Sequence, residues 1–202
     1  MGLPHRTWLE PLVLVASLPS VPRLTMMADA PTVVGSWWRR SLARLVGGVL
    51  LVPRRAAGGA RGFGQHVTAV GRVLEAGAIF SVFPEVGPPA RPPAFRRVSP
   101  AVAYFALRTG RPLVPAVFGG THDLFLRRPV ALRFLAPIEP PRPAPPHGSA
   151  AERAAADRLI AELLERATPV AAELHEETGV GVGARRRWRW LQGGFPRHGE
   201  AE

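Results

Sequence analysis

The chain predicts an α/β fold, a mixed and mostly parallel sheet flanked by helices, on three observations. Short continuous apolar runs of buried-strand type recur at residues 49–52, 78–83, 113–118 and 130–135. Between them lie stretches whose apolar residues return at helical spacing. Glycine and proline, 21 and 23 residues of 202, bound nearly every run and keep it short. Alternation of strand and helix is what a sheet covered by helices produces, and such sheets carry function at the carboxyl ends of their parallel strands.

The elements follow in order. Thr7, with Glu10 three residues later and an apolar run beyond, is a capping box that opens a first helix with its body at residues 12–18. A short strand is expected at 23–27. Pro31 then opens a second helical stretch, with Val33, Val34, Trp37, Trp38, Leu42 and Leu45 on a mostly apolar face and Gly47-Gly48 as its stop. The strand at 49–52 is closed by Pro53-Arg54-Arg55, and residues 56–64 read as a glycine-rich loop before a helix at 65–76 that Gly77 ends. The strand at 78–83, a helix at 99–108 and the strands at 113–118 and 130–135 complete the alternation. Residues 137–146 form a proline-rich connector. Leu159, Ile160, Leu163, Leu164, Ala167, Val170, Ala171 and Leu174 then describe one amphipathic helix. Residues 1–178 are therefore read as one domain, and 179–202 as a flexible basic and aromatic tail.

Composition narrows the chemistry. Cysteine is absent, which excludes disulfides, thiolate zinc sites and a cysteine nucleophile. The formal charge is +11, and all 26 basic residues are arginine. That surplus favours anionic partners, and the planar guanidinium suits bidentate contacts to phosphate. No apolar run approaches the roughly 18 residues of a membrane-spanning helix, and the start lacks the marks of a secretory signal. The expected location is cytoplasmic, peripheral on the inner face of the membrane. In the tail, Arg185-Arg186-Arg187-Trp188-Arg189-Trp190-Leu191 has the chemistry of an interfacial anchor, arginines on headgroups and tryptophans at the boundary, or of a solvated basic end.

Two segments carry candidate chemistry. His5 stands five residues before Glu10, and the cap places Glu10 in the first helical turn, close enough to hold one ring nitrogen and leave the other to take a proton from a hydroxyl. Phe83-Pro84-Glu85 puts a second carboxylate where a buried strand opens onto a loop. The pair points to acyl transfer.

The order of motifs resembles the glycerolipid acyltransferase family, whose best-known members make phosphatidic acid from lysophosphatidic acid. Its H-x-x-x-x-D pair, G-x-x-x-x-x-R segment, F-P-E-G and V-P strand have counterparts here in His5 with Glu10, Gly48 with Arg54, Phe83-Pro84-Glu85, and Val114-Pro115. The resemblance covers roughly residues 4 to 121. Glu10 stands for the usual Asp, and Val86 for the glycine of F-P-E-G. The family's next arginine has no strict match in Glu85-Val86-Gly87-Pro88-Pro89-Ala90-Arg91, so Arg91, Arg96 or Arg97 would take its place. The segment that precedes the histidine in the family, often a membrane-dipping helical pair, has no counterpart in the four residues before His5. Either the true start lies upstream or this is a shortened form.

The resemblance implies an acyltransferase-like fold over 1–178 and a direct transfer from a thioester donor, acyl-CoA or acyl carrier protein, to a lysophospholipid hydroxyl. His5 and Glu10 would be the base and its orienting partner. Arg54 would bind the acceptor phosphate, Glu85 would position the glycerol or a neighbouring arginine, and Pro115 would shape the donor side. No metal or cofactor is implied, and no nucleic-acid partner. A rival from another class is a catalytically weak or inactive relative that binds lipid or a membrane surface. A nucleic-acid-binding module is suggested by the charge and the Arg-Trp interleaving but lacks a recognisable motif. A serine hydrolase is disfavoured because no G-x-S-x-G elbow is present. His122-Asp123 after Gly119-Gly120-Thr121 reads as a polar turn ahead of a ligand or second base.

Overall fold

Short, largely apolar strands need neighbours beside them and layers above and below. The computed structural model describes residues 1–7, 9–29, 48–52, 59–88, 90–121 and 129–179 and meets that need with a mixed α/β arrangement. β2 (Leu24–Asp29) lies between β3 (Val49–Val52) and β4 (Ile79–Ser81), and both pairings are parallel. A second set places β7 (Ala116–Gly119) between β1 (Gly2–Leu3), parallel to it, and β8 (Ala131–Phe134), antiparallel. Gly2 N donates to Val82 O at 3.0 Å, one residue past β4. β1 therefore lies between the two sets, held to β4 on one side and β7 on the other.

Alternation along these strands sends side chains to two cores. Leu3 and Val117 point to the face covered by α3 (Ala101–Thr109) and α4 (Ala150–Glu177), where they join Val102, Ala106, Leu107, Leu159, Leu163 and Leu174. Ala116 and Phe118 point the other way and pack with Leu14 of α1 (Leu9–Ser17), Leu24 and Met26. The sheet thus has helices on both faces. The long helix α4 follows its pattern closely: Leu159, Leu163, Ala167, Ala171 and Leu174 lie on its buried stripe. Fully burying a leucine contributes roughly 1.5–3 kcal/mol, enough for the stripe to hold the helix through Pro169, whose ring faces outward.

The five expected strands are present: 49–52 matches residue for residue, the strand expected at 23–27 runs Leu24–Asp29, and the other three have shorter or shifted bounds. The expected strand at 113–118 begins later, because Leu113 makes an isolated bridge with Ile138 and Pro115 cannot donate. The largest correction concerns residues 59–64, expected as glycine-rich loop: α2 (Gly59–Glu75) includes them. Phe63 supplies the reason. Its ring stacks on Phe105 at 5.4 Å and meets Tyr104 edge-on at 6.1 Å, while the Arg108 guanidinium lies 5.2 Å above it. That tertiary packing outweighs a helix cost of about 1 kcal/mol per glycine. A short hairpin of β5 (Glu85–Val86) and β6 (Arg97–Val98) was not expected at all. The helical stretch from Pro31 with Trp37 and Trp38, Arg54, His122-Asp123 and the Arg185–Leu191 cluster lie outside the described residues.

Candidate active site

Three chain segments meet at the carboxyl ends of β1, β4 and β7. The chain leaves β1 at Leu3, passes Pro4 and reaches His5 just before α1 begins. The capping box forms as its residue types require. Thr7 Oγ1 accepts from Leu9 N at 3.2 Å, and the Glu10 carboxylate accepts from Thr7 N at 2.8 and 3.1 Å and from Arg6 N at 3.2 Å. Glu10 is 0% exposed, so these main-chain donors compensate a carboxylate that has lost its water. Its Oε2 also lies 3.4 Å from His5 Nδ1. The His5 side chain keeps 20% of its surface, which leaves the imidazole reachable while its orienting partner is sealed.

Aromatic packing fixes the ring plane. Phe83 stacks on His5 with centroids 4.4 Å apart, and Phe118 backs Phe83 at 6.0 Å. Gly2 makes this possible, since a Cβ there would overlap the Phe83 ring and lie 3.0 Å from Phe118.

Glu85 joins the segment after β1 to the hairpin. Its Oε2 accepts from His5 N at 2.7 Å and its Oε1 from Arg96 N at 2.8 Å. Arg6 makes a second tie, its guanidinium donating to Ala90 O and, at 2.5 Å, to Ala94 O. Burial lowers the Arg6 pKa from its ordinary value, Glu85 and Glu10 oppose the shift, and Arg96 adds to it. Arg6, Arg96, Glu85 and Glu10 therefore form one charged cluster beside His5.

Of the residues singled out from sequence, His5, Glu10, Glu85 and Arg96 are brought together. Arg96 is half-buried, and its Nε is sealed from solvent without a hydrogen-bond partner among the described residues. Arg91 and Arg97 are exposed, the first in the turn closed by Ala94 N on Arg91 O, the second paired with Val86 on β6. Pro115 is not part of the cluster. It is fully buried before β7, at the end opposite Gly119, and its carbonyl accepts from Leu135 N at 2.9 Å. Arg54 is outside the described residues. Arg6, Phe83 as a stacking surface and Gly2 went unrecognised in the sequence: each owes its role to residues about 80 positions away or more, which no local pattern reports.

Among the described residues, no group of three or more histidine, aspartate or glutamate side chains is placed to hold a metal ion, and no helix is long and apolar enough to cross a membrane. The arrangement can take a proton at an imidazole oriented by a buried carboxylate, with arginine charge nearby. Comparison with protein-family models, with curated proteins and with solved structures yields no match.

Proposed function

We propose that the protein is an O-acyltransferase that moves a fatty acyl group from a thioester, acyl-CoA or acyl carrier protein, to a hydroxyl of a lysophospholipid such as lysophosphatidic acid. The observation that carries this reading is the His5–Glu10 pair, 3.4 Å between Nδ1 and Oε2 with Glu10 fully buried. With Nδ1 toward Glu10, Nε2 takes the proton of the acceptor hydroxyl. The acceptor oxygen forms its bond to the thioester carbonyl carbon, the C–S bond breaks, and the imidazolium returns its proton to the departing thiolate. Glu10 stabilises the cation in between. The longer side chain of Glu10, compared with the family's Asp, still reaches both the cap and the histidine, so this departure gives no support to an inactive relative.

Arg96 is the best placed of the three candidate arginines for the acceptor's phosphate. It is fixed to the carboxylate that also fixes His5, and its side chain has no hydrogen bond or ion pair within the described residues. Arg54 would share the charge, as the resemblance implies. Glu85, with both oxygens accepting main-chain N–H groups, acts by holding these segments together. The protein would dock peripherally on the inner face of the membrane, where its substrate resides.

The test is thiol release from acyl-CoA in the presence of lysophosphatidic acid, with phosphatidic acid formation followed in parallel. Product formation that requires His5 is the expected result. Vesicle binding without turnover would instead identify a lipid-binding protein, and salt-sensitive oligonucleotide binding alone a nucleic-acid module.

A further inference from the structure

We propose that Arg6 is a positioning residue that straps the loop between β5 and β6 to the His5 segment and thereby sets where an anionic acceptor sits. The inference rests on the acyl-transfer reading for its substrate, and on geometry for the strap itself.

Among the described residues, the loop between β5 and β6 has few ties of its own beyond Phe95, which packs against the first core, and Arg96 N on Glu85. Its hairpin has only two paired positions on each strand, too few to order a connection of this length. Within it, the turn at Arg91 to Ala94 is closed by one main-chain bond, Ala94 N to Arg91 O at 2.9 Å. Arg6 closes the same turn from outside, one guanidinium nitrogen on Ala90 O and the other on Ala94 O. A planar fork with two parallel donors suits two fixed carbonyls, and an ammonium cannot hold both in one geometry.

The other end of Arg6 is equally fixed. Its main-chain N–H donates to Glu10 at 3.2 Å, and its neighbour His5 donates its own N–H to Glu85. A single residue thus links the carboxylate that orients the imidazole to the loop that delivers Arg96. The guanidinium is half-buried, with Glu85 and Glu10 as its favourable charges and Arg96 as its unfavourable one. With both terminal nitrogens donating to carbonyls, Arg6 is committed to the loop, and Arg96 is the arginine left to meet the anion.

The experiment uses the full chain and the variants Arg6→Ala and Arg6→Lys. Loss of charge-assisted bonds to the loop should raise the KM for lysophosphatidic acid about tenfold or more in Arg6→Ala, with the acyl-CoA KM nearly unchanged, and Arg6→Lys should recover only part of the loss. Amide hydrogen exchange should speed up at Ala94 and Arg96 and stay at the wild-type rate in α4. Wild-type exchange at those amides would overturn the strap. A loosened loop with an unchanged acceptor KM, or an equal loss toward both substrates, would overturn its role in acceptor binding. Should the wild type turn over no acyl acceptor, the acyl-transfer reading falls by itself, and calorimetric binding of sn-glycerol 3-phosphate replaces the KM. Weaker binding by Arg6→Ala than by wild type would then support the inference, and equal affinity, or no binding by either, would overturn it.

Discussion

His5 and Glu10 divide their labour by exposure. The imidazole keeps part of its surface while the carboxylate is sealed, so substitutions at the two should separate chemistry from stability. His5→Ala is expected to lower turnover by roughly 100-fold or more with little change in melting temperature. Retention of a tenth of the wild-type rate would exclude a general base at this position. Glu10→Gln should lose both rate and stability, the latter by about 1–3 kcal/mol, because an amide group replaces one oxygen that accepts from a buried N–H. Urea titration beside steady-state rates resolves the two effects, and Glu10→Asp should be the mildest change. Gly2 makes a different prediction: a methyl group there must displace Phe83, so Gly2→Ala should cost about 1–3 kcal/mol by overpacking and disturb the His5 ring, seen as a shift of its imidazole resonances.

Elements differ in how much of them was legible in the sequence. Residues 49–52 are legible to the residue because a short apolar run between glycine and proline admits little else. The start of α1 was legible because Thr7 and Glu10 encode a cap in side-chain chemistry. The start of α2 is not legible because glycine signals loop locally, while what holds residues 59–64 in a helix includes the packing of Phe63 on Tyr104 and Phe105 from another part of the chain. The hairpin of β5 and β6 left no trace, since its two-residue strands are too short for any periodicity and its order comes from Glu85 and Arg6. The candidate site is legible in part for the same reason: the local pair His5 and Glu10 can be read, Glu85 and Arg96 come through the order of motifs, and Arg6, Gly2 and the stacking of Phe83 leave no local pattern.

The start of α4 shows an element whose stability should follow pH. Ser149 Oγ accepts from Glu152 N at 3.0 Å, and the Glu152 carboxylate accepts from Gly148 N at 2.7 Å and from Arg108 Nε at 3.0 Å. The Arg108 hydrogen bond holds Glu152 below its ordinary value of 4.5, against the opposing effect of burial. A carboxylate with a depressed folded pKa contributes stability that is fully present above the unfolded value and is lost as pH falls through the folded one. The melting temperature of the wild type should therefore exceed that of Glu152→Gln at pH 6, and the difference should shrink below pH 4.5. A constant difference across that window would show that Glu152 acts without its charge.

Over the whole molecule, the net charge of +11 acts at a distance that single contacts do not. An arginine near an anionic bilayer contributes about 1 kcal/mol, fading within a Debye length of about 8 Å at physiological salt. Binding to phosphatidylserine vesicles should accordingly fall as salt rises and be nearly absent on neutral phosphatidylcholine. Truncation after Gly183 should weaken that binding and flatten its salt dependence, while turnover of a short-chain soluble acceptor should barely change. Equal vesicle binding by truncated and full-length chains would assign the contact to the domain itself.

Strand β1 adds a consequence in time. It is two residues long, begins at Gly2, and has as partners Val82 and residues 116–117. During synthesis at about 5–20 residues per second, residues 2–3 wait on the order of ten seconds before either partner exists. His5, Arg6 and Glu10 therefore cannot take up their final arrangement early, however soon the local helix α1 forms. In refolding, far-UV circular dichroism, which follows the helices, should recover ahead of His5–Phe83 stacking and of turnover. The candidate site would then assemble in one late event, when β1 slips between β4 and β7.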